Sequence, residues 1–212
     1  MQTQHRLENP KQTIIAKTQE LIQKNSFNSV TFDNIAKELH IKKPSVIYHF
    51  RSKEELGLEV LKSYRNQIQT EISNLDRYTD EPLTKLKNYF RFFANIHRTV
   101  MGMCPAGVMT AEFNSLSKEM QKELKGFFSE NFNWLIKILE EGKKQDKLGF
   151  PGQAKDRAYL IAGAIEGGLM FARMEGDSQI FWNILRQLKL GLEINETWTI
   201  TPRDKSGTQV KI

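Results

Sequence analysis

Between positions 42 and 53 the chain gathers Lys42, Lys43, Pro44, Ser45, Tyr48, His49, Arg51 and Lys53. The lysines and the arginine are cations that seek phosphate, and the hydroxyl and imidazole groups are hydrogen-bonding atoms able to meet base edges. No nucleophile here has a recognisable base and orienting group beside it, so the chemistry is recognition of a polyanion rather than bond cleavage.

The elements that must carry these groups follow from spacing. Phe32, Ile35, Ala36 and Leu39 recur at i, i+3, i+4 and i+7, one apolar face of a helix, and Thr31 stands where an N-cap belongs. After a break at His40-Ile41, Pro44 suits the first turn of a second helix, and Val46 and Phe50 turn inward. Counting about 100° per residue from Val46, Pro44, Ser45 and Tyr48 point away from the buried side, with Lys42 and His49 on one flank and Lys43 and Ile47 on the other. Ser52 then caps a further helix and sets Lys53 beside its N-terminus, where free backbone N–H groups favour a phosphate. This is the division of labour in a helix–turn–helix. A helical hairpin with a basic solvated surface would give the same spacing.

The segment resembles the DNA-binding domain of the tetracycline-repressor (TetR) family through Thr31, Ile35, Ala36, Ile41, Ser45, Val46, His49, Phe50, Ser52, Lys53, Glu54 and Leu56. The helix before it, with Ile14, Ile15, Thr18, Leu21 and Ile22 ahead of Asn25-Ser26-Phe27, is similar to that family's first helix. The likeness covers about the first quarter of the chain. Two positions depart from it. His40 stands where the family commonly has Gly, a position that often needs positive φ. Ile47 stands where the family frequently has a Tyr that touches phosphate, which leaves one such contact open. The resemblance implies that Thr31, Arg51 and Lys53 hold the DNA backbone while Lys43, Ser45, Tyr48 and His49 face bases or adjacent phosphates.

The chain has 212 residues and a formal charge of +6. Residues 1–65 hold +4 of that charge and the other 147 hold +2, which favours a polyanionic partner for the smaller part. The polar start is no signal peptide, and the most apolar run, Leu160 to Met174, is short and interrupted by Glu166 and Arg173. A cytoplasmic protein with no membrane partner is expected. One cysteine, Cys104, excludes an intramolecular disulfide and a multi-thiolate zinc site, and no metal-ligand spacing or phosphate-binding glycine loop occurs. No cofactor, no metal and no enzymatic activity are expected.

Beyond residue 56 the pattern is helical throughout, with a break at TDEP (79–82) and another at LGFPG. The expected fold is all-α: a helix–turn–helix domain over 1–56, a helical effector-binding and dimerisation domain over 57–194, and a polar tail over 195–212. Phe90, Phe93, His97, Met101, Cys104, Met109, Phe113 and Phe132 are the candidate lining of an apolar effector cavity, although aromatic and thioether groups at helical spacing more often build a plain core. Pro105 at a first helical position would make Cys104 an N-cap, where the helix end stabilises a thiolate. A Cys at this place also resembles a subgroup of the family that responds to oxidants or electrophiles, so Cys104 is a candidate redox sensor; a buried hydrophobe is the alternative. In the family the last two long helices build a four-helix interface between subunits. That resemblance nominates Ala164, Gly167, Gly168, Phe171, Phe181, Ile184, Leu185 and Leu188 for dimerisation, residues that could also fill the protomer's own core.

The expected function is a ligand-responsive transcriptional regulator, most naturally a repressor, that binds a palindromic double-stranded DNA operator as a homodimer. An unidentified small-molecule or thiol-reactive effector would release it. The alternative is a dimeric helical ligand-binding or scaffold protein without DNA binding.

Overall fold

The computed structural model describes residues 9–100 and 102–194, the side chains of 98–100 excepted. Met101 and the tail 195–212 therefore lie outside the described residues. Among those described, nine α-helices follow one another: α1 (Pro10–Lys24), α2 (Phe32–Glu38), α3 (Lys43–His49), α4 (Lys53–Tyr78), α5 (Pro82–Val100), α6 (Pro105–Ala111), α7 (Lys118–Lys144), α8 (Ala154–Glu175) and α9 (Ser178–Leu190). A single 3-10 turn, Phe113–Ser115, separates α6 from α7. The described residues contain no strand, only one isolated antiparallel bridge between Leu148 and Ile194. The all-α expectation holds.

Packing divides the chain into two compact units, one of residues 1–70 with 105–127, the other of 71–104 with 128–212. The long helices α4 and α7 contribute to both. The return of 105–127 to the N-terminal unit is a long-range association that local periodicity does not reveal.

In the first unit, Ile14, Ile15 and Ile22 of α1, Ile35 of α2, Val46 of α3, Phe50, and Leu56, Val60 and Leu61 of α4 are buried together as the core. Thr18 is buried with them, and its hydroxyl donates to the Ile14 carbonyl at 2.7 Å, so no polar atom there goes unpaired. Gly57 lets α4 approach the turn after α1. A Cβ at that position would lie 2.6 Å from the Phe27 ring and 2.8 Å from the Met120 methyl group. Glu112, just past α6, accepts from the backbone N–H groups of Phe27 at 2.9 Å and Asn28 at 3.1 Å. Two turn donors that no helix satisfies are thus tied to the segment after α6.

The second unit buries Leu86, Phe90 and Phe93 of α5, Leu135, Ile138 and Leu139 of α7, Ile161, Ile165 and Leu169 of α8, and Phe181 and Leu185 of α9. Helices α8 and α9 are joined by only Gly176-Asp177 and pack against one another, with Gly168 lying against Phe181 and Ile184. The buried Lys85 ammonium is paired with Asp76 at 2.7 Å, and the same carboxylate accepts from the Trp134 indole at 3.2 Å. No described helix is long and apolar enough to cross a membrane.

Candidate nucleic-acid interface

Helix α2 starts where its cap places it. The Thr31 hydroxyl accepts from the Asn34 N–H at 3.2 Å and donates to the Asn34 side chain at 2.8 Å. The chain then reverses through His40, which takes φ of +53°, the left-handed conformation that glycine usually supplies. That turn is closed by the Ile41 N–H on the Ala36 carbonyl at 3.0 Å. Helix α3 follows with Pro in its first turn, and Val46 and Phe50 anchor it, both wholly buried.

This anchoring turns the other face outward. Lys42, Lys43, Pro44 and Ser45 are exposed, Tyr48 is 85% exposed, and Ile47 is 45% exposed on the flank. The half-buried His49 ring meets the Tyr48 ring edge-on at 5.1 Å. Lys43 is paired with Asp33 at 2.7 Å, and both side chains are well exposed, so this pair is easily exchanged for a phosphate. The exposed Arg51 donates its backbone N–H to Glu55 at 2.8 Å, while Ser52 caps α4 by accepting from the Glu55 N–H at 3.1 Å. Lys53 is less free than its position in the sequence implies. Its ammonium donates to the Asn28 carbonyl at 2.8 Å and lies 4.8 Å from the centre of the Phe27 ring. Burial holds its pKa below the usual lysine value, opposed by the Glu112 carboxylate.

A buried two-point anchor beneath an exposed polar helix face, after a turn in the left-handed region, is helix–turn–helix geometry. Residues 14–60 match the sequence profile described as bacterial regulatory proteins, tetR family. An HTH-type transcriptional regulator from the lacX 3′ region of Lactococcus lactis is 26% identical over 192 residues, covering 89% of this chain and 96% of that one. The transcriptional repressor DhaR of Mycobacterium sp. strain GP1 is 27% identical over 136 residues, 63% of this chain and 67% of the relative. A TetR-family transcriptional regulator from Agrobacterium tumefaciens superposes with a TM-score of 0.80 at 25% identity, over 89% of this chain and 100% of its own. Residues 14–60 thus match a tetR-family DNA-binding domain, and the chain as a whole is similar to TetR-family transcriptional regulators. The similarity to transcriptional regulators runs over 89% of the chain, which supports a DNA-binding regulator rather than an enzyme.

The remaining candidate residues fall into separate places. Phe90, Phe93 and His97 are buried on α5, and Phe132 on α7 meets the Tyr159 ring at 4.6 Å, all in the second unit. Met109 and Phe113 belong to the first unit, where Met109 is wholly buried and Phe113 lies under the Lys125 ammonium. Of the dimerisation candidates, Gly168, Phe181, Leu185 and Leu188 are buried within the protomer, Ala164, Gly167 and Ile184 are half-buried, and Phe171 is 55% exposed. Exposure adds Tyr159, Leu160, Met170 and Met174 to Phe171 as a stripe along α8. A Cβ on Gly163 or Gly167 would meet nothing within 4 Å, so the stripe is flat and open at its middle.

Cys104 does immediately precede α6, but it is 1% exposed and its thiol hydrogen-bonds the Glu166 carboxyl of α8. Burial pushes that carboxyl up to about 7, and the thiol bond opposes the shift. The neighbouring Tyr89 phenol is driven well above its ordinary value, mainly by burial and further by Glu166. Glu166 Oε2 and both ring nitrogens of His97 are buried without a hydrogen-bond partner. Burial keeps His97 neutral by lowering its pKa. Tyr89 and Glu166 escaped the sequence reading. The available signal was Glu166 itself, an acid interrupting the most apolar run of the chain.

Proposed function

We propose that this TetR-family regulator is a repressor that binds inverted-repeat DNA as a homodimer and is released by an effector held in its second unit. The outer face of α3 carries the reading: Lys42, Lys43, Pro44, Ser45 and Tyr48 are solvent-facing while Val46 and Phe50 lock the helix from behind. Tyr48, Ser45 and His49 would meet base edges, and Lys42, Lys43, Arg51 and the Thr31 end of α2 would hold phosphates. Lys53 would serve the backbone mainly by bracing the turn at Asn28.

A dimer is supported by the apolar stripe on α8, where Tyr159, Leu160, Met170, Phe171 and Met174 are exposed around two unobstructed glycines. An inverted-repeat operator would require two copies of α3 about one DNA turn apart, roughly 34–36 Å, or at a wider spacing. Effector control requires that the ligand bind the DNA-competent and DNA-free arrangements with different affinity. Among the effector residues, Phe90, Phe93 and His97 line one face of α5, and Cys104 contributes a buried thiol. Its burial and carboxyl partner favour a non-covalent small molecule over a thiol-reactive one.

Sedimentation tests this reading. The wild-type chain should run as a dimer and bind duplex with a steep salt dependence, whereas Phe171→Glu should run as a monomer and lose specific binding. A monomeric wild type that binds duplex equally well would overturn it.

A further inference from the structure

We propose that Glu166 is the charged anchor of the effector site and that the effector it takes is an organic cation, an amine or amidine with an N–H donor on an aromatic or aliphatic body. This rests on the effector-controlled reading above and assigns the chemical class of that ligand.

The carboxyl group is half satisfied. The Cys104 thiol hydrogen-bonds it, yet Oε2 is enclosed with no partner. A carboxylate in a low-dielectric interior is ordinarily matched by a cation or by several N–H donors. Among the described residues no basic side chain supplies that match. Burial and the thiol are what set its proton affinity. Three of the unit's cations are committed elsewhere: Lys85 to Asp76, Lys147 to Glu81, and Arg157 over the Phe150 ring. The neighbouring Tyr89 offers a π-face rather than a charge, and its ring is linked to Phe93 at 5.1 Å and Trp134 at 6.0 Å. An acidic acceptor beside an aromatic cluster suits an ammonium or amidinium ion, which the carboxylate binds by a charge-assisted hydrogen bond and the rings by cation–π attraction. An anionic ligand would meet like charge there whenever the carboxyl is ionised. His97, two turns of α5 beyond Tyr89, keeps two unpaired ring nitrogens and offers the ligand's body a polar contact at its far end.

The test uses the full-length chain and three matched probes: phenethylamine, its neutral N-acetyl derivative and the anionic phenylpropionate. Binding is followed by Trp fluorescence and thermal shift, and release of bound DNA by anisotropy. The amine should bind at least about tenfold more tightly than the neutral and acidic probes, and Glu166→Gln should erase that preference without weakening the neutral probe. The wild-type ranking needs no variant, so a poorly folded Glu166→Gln chain does not remove the test. Equal binding of amine and amide, or binding of none, would overturn the proposal. Amine binding that depends on Glu166 but leaves DNA bound would keep the cation site and sink the effector reading. DNA release by the neutral or acidic probe alone would do the opposite.

Discussion

In the segment from Thr31 to Leu56 the anchoring side chains Ile35, Val46, Phe50 and Leu56 are inside, and most polar groups cap a helix or face water. In the second unit the pattern inverts: a Glu166 carboxyl oxygen and the His97 imidazole are inside without a hydrogen-bond partner. The first arrangement is built for stability and leaves its outer surface for a partner as large as a duplex. The second gives up stability at an interior point, and a buried unmatched acceptor is the kind of cost that persists where a ligand repays it. On the proposed reading, the two regions divide the work of reading DNA and of sensing.

The largest effect expected on this contrast is at Phe50. Truncation of a wholly buried ring that holds α3 from behind, Phe50→Ala, should cost about 3–5 kcal/mol in chemical denaturation and abolish DNA binding. A change below about 1 kcal/mol would show that α3 is anchored elsewhere.

Glu166 should dominate the pH response of stability. Its carboxyl is raised from 4.5 to about 7, so the native state holds the proton more tightly than the unfolded chain. The resulting stabilisation is fully present below about pH 4.5 and is lost as pH rises through about 7, a swing of about 3 kcal/mol. The swing is read as wild type minus Glu166→Gln across pH 4.5–7.5, which cancels the opposite trend from the neutral, buried His97. A flat difference would mean that the carboxylate is matched after all.

Smaller still is the turn. His40→Val should cost about 1–2 kcal/mol because a β-branched residue resists φ of +53°, while His40→Gly should fold normally. Equal stability of the two variants would show that the left-handed turn is not required.

The contrast also explains what was legible in the sequence. The helix–turn–helix is a local object: Thr31 as cap, Phe32-Ile35-Ala36-Leu39 as a face, Pro44 at a helix start and Val46-Phe50 as a pair are all separated by a few residues. Even the backbone conformation at His40 could be read from a position that usually holds glycine. The Lys53 role was read less fully, because its partners Asn28 and Phe27 lie 25 residues or more away and only the fold brings them near. The Glu166 cluster draws on Tyr89, Cys104 and α8, three stretches with no common periodicity. For the same reason Phe181, Leu185 and Leu188 could not be told apart from the open stripe of α8 by composition: both faces are apolar, and only packing decides which is covered.

Selection of duplexes from a random DNA pool, run in parallel with the wild type and with Tyr48→Ala, tests the central claim most directly. Tyr48 is almost fully exposed, so its truncation should leave folding intact and act only on recognition. The wild type should enrich an inverted repeat, and Tyr48→Ala should enrich one with the same spacing but a relaxed or altered half-site. Failure of the wild type to enrich any symmetric sequence, or an unchanged half-site in the variant, would contradict the account of α3 as the reading surface.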